Sequence, residues 1–165
     1  MTQKIVKPLP LEIGSGIEVG QHVNEVFIQG KYAYIVNDTD AGAGNEFRIF
    51  DVSNPAAPVE VGSANLNNTG NSVFVSGKYA YLGADGVEGN EFLIFDVSNP
   101  SSPVLAGGAD VDTNNVESLY VLGRYAYLVR STTIGTCSSS NRTGCDMEIY
   151  DISNPSSSTF VGGGG

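Results

Sequence analysis

Nine residues, Phe47-Arg48-Ile49-Phe50-Asp51-Val52-Ser53-Asn54-Pro55, return as Phe92 to Pro100 (FLIFDVSNP) and again as Met147 to Pro155 (MEIYDISNP). A second phrase precedes each copy: Gly30-Lys31-Tyr32-Ala33-Tyr34, then Gly77 to Tyr81, then Gly123 to Tyr127. Its glycines are 47 and 46 residues apart. No other feature constrains the fold as tightly. A unit of this length, built from strand-forming runs and turns, buries its apolar faces against its neighbours, and the period is that of a propeller blade.

Each repeat holds four strand candidates. In the first they are strand a (Val26 to Ile28), strand b (Tyr32 to Val36), strand c (Phe47 to Val52) and strand d (Val59 to Val61). Gln29-Gly30-Lys31 makes the tight a–b turn, where glycine supplies positive φ. Strands a, b and c carry consecutive apolar residues, the pattern of strands covered on both faces. The Asp-Val/Ile-Ser-Asn-Pro segment ends strand c, because Ser and Asn bond the local backbone and Pro removes a donor. In the third repeat Ser158 replaces the second proline, and four glycines follow Phe160-Val161. Residues 7–14 (KPLPLEIG) match the tail of a repeat, Pro58 to Gly62 and Pro103 to Gly107, so an outer strand of a preceding blade is expected there.

The expected architecture is all-β: β-propeller-type blades of four antiparallel strands, three blades plus one extra N-terminal strand. The units are 1–16 (the extra strand), 17–63, 64–108 and 109–165. No window carries apolar residues at helical spacing, so essentially no α-helix is expected. A net charge of −10 disfavours nucleic acid and anionic membrane surfaces. No run approaches the roughly 20 apolar residues that span a bilayer, and Met1 to Pro10 lacks a signal-peptide core. Cys137 and Cys145 flank a short loop in the third repeat. Two half-sites are too few for structural zinc, so a disulfide is the preferred reading and implies an oxidising compartment; exposed reduced thiols are the alternative.

The paired Gly-x-Tyr-Ala-Tyr and Asp-Val-Ser-Asn-Pro phrases resemble the LVIVD repeat family over roughly residues 24–163. The resemblance implies a β-propeller of a bacterial or archaeal surface or secreted protein, with no shared catalytic motif. The third repeat departs most, with Arg130 where the others have Asn37 and Ala84, and with its cysteine-bounded insertion. Natural rings have about four blades or more, so three leave apolar faces open. Either the chain is part of a longer surface protein, or copies of it assemble, residues 7–14 adding a strand to a neighbour's last blade.

The a–b and c–d turns are nearly identical in the three repeats, while the d–a and b–c loops differ. The b–c loops Asn37–Asn45, Ala84–Asn90 and Arg130–Cys145 have 9, 7 and 16 residues. Recognition sits on loops that can change, so a binding surface is expected at the d–a/b–c end, with His22, Asn37, Asp38, Arg130 and Arg142 as candidates. Asp38, Asp40, Glu46, Asp85 and Glu91 are hard-oxygen donors for a calcium ion, although EF-hand spacing is absent and solvated turn carboxylates are the simpler reading. No other cofactor is expected. Asp51, Asp96 and Asp151 recur in step and read as structural. So do the tyrosine pairs of strand b, expected to pack between blades. Three sequons occur, at Asn37, Asn67 and Asn141.

There is one histidine and neither a nucleophile elbow nor a phosphate loop. The function expected is a non-enzymatic, surface-exposed or secreted binding or structural module, extracellular, with a protein partner or self-association through exposed blade faces. A self-assembling filament or appendage subunit and a portion of a propeller enzyme are the alternatives.

Overall fold

The computed structural model describes residues 16–17, 19–39, 44–86, 89–111, 115–131, 137–138, 142 and 144–165. Among these residues twelve strands form three antiparallel sheets of four. Blade 1 comprises β1 (Val23–Gln29), β2 (Tyr32–Asn37), β3 (Phe47–Asp51) and β4 (Val59–Ala64). Blade 2 comprises β5 (Gly70–Ser76), β6 (Tyr79–Ala84), β7 (Phe92–Asp96) and β8 (Val104–Ala109). Blade 3 comprises β9 (Val116–Leu122), β10 (Tyr125–Arg130), β11 (Met147–Asp151) and β12 (Thr159–Gly164). Each sheet runs a-b-c-d without a crossover. Among the described residues the one helical element is a 3-10 turn, Pro155–Ser157. The expected outer strand at 7–14 lies outside the described residues.

The turns explain the register. Gly30, Gly77 and Gly123 have φ of 61, 61 and 62° and open two-residue hairpins, which matches a type II′ turn. In every blade strand d shifts register at one place: between Ile49 and Phe50, Ile94 and Phe95, Ile149 and Tyr150. Residues are therefore equivalent by pairing and not by sequence alone. Gly62, Gly107 and Gly162, opposite Ile49, Ile94 and Ile149, form one such set.

The blades pack face to face. Tyr34, Val36, Phe47 and Ile49 of blade 1 meet Val73, Val75, Leu82, Leu93 and Phe95 of blade 2. Tyr81, Phe92 and Ile94 of blade 2 meet Leu119, Val121, Leu128 and Tyr150 of blade 3. The strand b tyrosines of blades 1 and 2 thus pack between blades as expected, whereas Tyr125 and Tyr127 of blade 3 are half-buried and belong to neither cluster. Inner-strand aromatics run across the stack, Phe27 to Phe74 and Phe74 to Tyr120, each 4.9 Å between ring centroids. Polar ties follow the same line: Ser72 Oγ donates to Glu25 at 2.7 Å and accepts from the Leu119 amide at 3.2 Å.

Burial of strand a on both faces holds only for the central blade. Val73 and Val75 of β5 are buried, whereas Val26 and Ile28 of β1 are 55% and 56% exposed. On β9, Tyr120 and Leu122 are exposed while Leu119 and Val121 are buried. The physical reason is position: among the described residues only blade 2 has a blade on each side.

Candidate functional site

The two ends of the blades differ in chemistry. At the turn end, Asp51 accepts Lys31 Nζ at 2.8 Å and the Ser53 amide at 2.9 Å, with the Ser53 hydroxyl also bonded to it. Asp96 repeats this with Lys78 and Ser98, and Asp151 with Arg124 and Ser153. Each cation also lies over the ring of the next residue, at 5.0, 4.9 and 5.4 Å. Lys31, then Ser53, hold the Asp51 carboxyl down to about 2; Ser98, then Lys78, do the same for Asp96. The Arg124 guanidinium lowers Asp151 likewise. These aspartates are latches that pin the exit of strand c to the a–b turn. Their recurrence is structural.

At the loop end the first two blades also repeat. Asn24 donates to Asp38 at 2.8 Å and to the Gly70 carbonyl of the next blade at 2.9 Å. Asn71 donates to Asp85 at 2.8 Å and to the Val116 carbonyl at 3.3 Å. Glu46 accepts the Leu66 amide at 2.7 Å and Glu91 the Val111 amide at 2.8 Å, both twenty residues on. Burial raises the Glu91 pKa. Four of the five calcium candidates are therefore held one by one on amide donors that tie strands and blades together. Asp40 lies outside the described residues. Among the described residues no three His, Cys, Asp or Glu side chains group around a point where an ion would sit.

Of the binding-face candidates, His22 and Asp38 lie at the surface, His22 with its side chain 92% exposed and Nδ1 3.7 Å from Asp38. Asn37 is buried, donating to Gln21 and to the Asp38 carbonyl, so its sequon is closed off in the folded chain. Arg130 is buried as well. Its guanidinium pairs with the fully buried Glu148, bonds the Val111 carbonyl and reaches the Arg142 carbonyl at 3.1 Å. Arg142 bonds the Tyr150 hydroxyl and the Asp110 carbonyl, and Tyr150 donates to Glu148 at 2.8 Å. Burial, then the Glu148 charge, raises the Tyr150 pKa. The buried Arg130 cation offsets the cost of burying Glu148, together with Arg142 3.6 Å away and the Tyr150 hydroxyl.

Cys137 and Cys145 form the expected disulfide. Gly163 of β12 lies against it: a Cβ there would be 3.4 Å from each sulfur and 2.6 Å from the Met147 carbonyl. The cross-link thus lies against the outer strand β12.

Sequence reading singled out Arg130 and Arg142 but missed Glu148 and Tyr150, which complete their network. The signal was present. Glu148 stands where the other blades have Arg48 and Leu93, and Tyr150 where they have Phe50 and Phe95. The Asn24–Asp38 and Asn71–Asp85 ties were also missed, although both residues recur after 47 positions.

The model of the LVIVD repeat family matches residues 20–65, 69–111 and 144–163, more than half of the chain. The third match covers strands c and d of blade 3, leaving β9, β10 and Cys137 outside it. No curated protein matches the chain.

Proposed function

Because the chain belongs to the LVIVD repeat family, we propose that it is a non-enzymatic binding or structural module, carried on a cell surface or secreted, that recognises its partner with the loop end of its blades. The observation carrying this reading is the contrast between the ends. The turn end spends the same Lys/Arg–Asp–Ser latch three times on holding the scaffold. The loop end changes loop length from blade to blade, and blade 3 has a buried ion pair where blade 2 has Ala84 and Leu93, with a disulfide in its b–c loop. The disulfide favours an oxidising, extracytoplasmic location. The acidic surface favours a protein or glycan partner over nucleic acid.

The test is a panel of immobilised extracellular proteins and glycans probed with three proteins. One is the wild type, one carries His22→Ala, Asp38→Ala and Asn90→Ala at the loop end, and one carries Lys78→Ala at the turn end. Binding lost only in the loop-end variant supports the reading. Binding lost equally in the turn-end variant, or turnover of any probe by the purified protein, sinks it.

A further inference from the structure

Asn67-Asn68-Thr69 is a sequon in the connection between β4 and β5, and the folded chain presents it to solvent. Asn67 is exposed, with a φ of 60°, the left-handed conformation of a tight turn. Its amide donates to Asn65 Oδ1 at 2.6 Å, which closes the turn, while its own carboxamide bonds none of the described residues. Asn37 is the contrast, a sequon asparagine buried with its carboxamide on Gln21 and the Asp38 carbonyl. Asn141 lies outside the described residues.

A crevice of about 200 Å³ opens beside Asn67, where blade 1 meets strands c and d of blade 2. Leu93, Phe95 and Leu105 are its apolar lining, and Asn65, Asn67 and Asn90 its polar lining. No lining residue is charged. Leu93 and Leu105 are a particular of this blade, since register puts the ion-paired Arg48 and Glu60 at their places in blade 1 and Glu148 and Phe160 in blade 3. Leu105 is 53% exposed. Carboxamides both donate to and accept from hydroxyls, and the C–H face of a sugar ring lies well on apolar carbon. The crevice is smaller than the about 300 Å³ at which pockets for free ligands begin. A tethered sugar does not need that much contact, because attachment to Asn67 keeps its effective concentration high.

We propose that Asn67 is the attachment site of an N-linked glycan and that the crevice seats its first sugar. The site rests on export of the chain, as read above, because its donor is an oligosaccharide on a polyprenyl pyrophosphate met outside the cytoplasm. In the transfer Asn67 Nδ2 bonds to the anomeric carbon and gives up a proton. The bond from that carbon to the pyrophosphate oxygen breaks, and the polyprenyl pyrophosphate leaves. Once seated, the sugar covers Leu105 and the seam between blades 1 and 2, so the glycan stabilises the fold that carries it.

The test is the full chain expressed behind a cleavable secretion signal in a eukaryotic host, with a Leu105→Ser variant beside it. Peptide mass spectrometry after glycosidase release maps the occupied asparagines on folded protein, whether secreted or retained. Asn67 is expected to be occupied and Asn37 bare. A bare Asn67, or folded protein modified at Asn37, overturns the attachment site. An endoglycosidase then trims the glycan to its first sugar, and the same sequence made in a bacterial periplasm lacking the transferase is the sugar-free reference. The trimmed protein is expected to melt above the reference, and that upward shift is expected to vanish in Leu105→Ser. No shift, or a shift that survives Leu105→Ser, overturns the seat. Occupancy is read by mass and partner recognition by the panel of probes, so failure of one is distinct from failure of the other.

Discussion

Blade 2 already contains the apolar version of the ion pair buried in blade 3, and this makes the pair's energetics testable. Arg130 and Glu148 both have side chains with no exposure, and the equivalent positions in blade 2 hold Ala84 and Leu93. Removing one member of a buried pair strands the other, at a cost of about 3–5 kcal/mol. For Arg130→Met the lower end applies, about 3 kcal/mol, because Arg142 remains 3.6 Å from Glu148 and the Tyr150 hydroxyl still donates to it. Glu148→Leu takes the buried carboxylate away from a guanidinium that also bonds the Val111 and Arg142 carbonyls, and costs about as much, ~3 kcal/mol. With a urea slope of about 2 kcal/mol/M, each single variant should unfold at a midpoint about 1.5 M lower. The double variant exchanges the pair for apolar side chains of similar volume, a change that is neutral or stabilising elsewhere. Its midpoint should return to within about 0.5 M of wild type. Tyrosine fluorescence and far-ultraviolet circular dichroism follow the transition, and the chain has no tryptophan to complicate it. A double variant as unstable as the sum of the singles would refute the reasoning, because Arg130 and Glu148 would then be acting through separate partners.

Gly107→Ala should destabilise the chain by about 1–3 kcal/mol through overpacking, since the obstacle is the Pro155 backbone, which cannot rotate away; Gly162→Ala, whose added Cβ meets none of the described residues within 4 Å, should be neutral, and equal effects at the two sites in urea unfolding would contradict this contrast. Asp51 and Asp96 have folded pKa values lowered from 3.8 to about 2, so the stability they add is full above the unfolded value and lost as the pH falls through the folded one. The melting temperature should therefore fall between about pH 4 and pH 2, and fall less in an Asp51→Asn, Asp96→Asn variant; parallel profiles would count against the latches. Glu91 runs the other way: its raised pKa opposes folding once it ionises, so Glu91→Gln, which can still accept the Val111 amide, should be at least as stable as wild type at neutral pH. Reducing the Cys137–Cys145 bond, which spans a separation of 8, should cost about 2.5 kcal/mol by loop entropy and lower the urea midpoint by about 1 M. An unchanged midpoint in dithiothreitol would place the bond outside the cooperative unit.

The repeating residues determined the fold by themselves. Gly30, Gly77 and Gly123 fix three hairpins, and the two apolar phrases between turns fix which runs become strands b and c. The same comparison marked Asp51, Asp96 and Asp151 as scaffold, because each latch finds all its partners within one repeat. Where a side chain's partner belongs to another blade, sequence was silent. Asn24 reads as an ordinary loop residue until the Gly70 carbonyl is placed beside it. Arg130 reads as a surface cation until Glu148 is seen beneath it. Gly107 reads as an ordinary strand glycine until the Pro155 carbonyl of the next blade is placed against it. Periodicity reports what each blade must be, since the turns and strand faces that impose it lie within one repeat. What the blades do to one another depends on contacts some 45 or more residues apart. Only the packed structure brings those together.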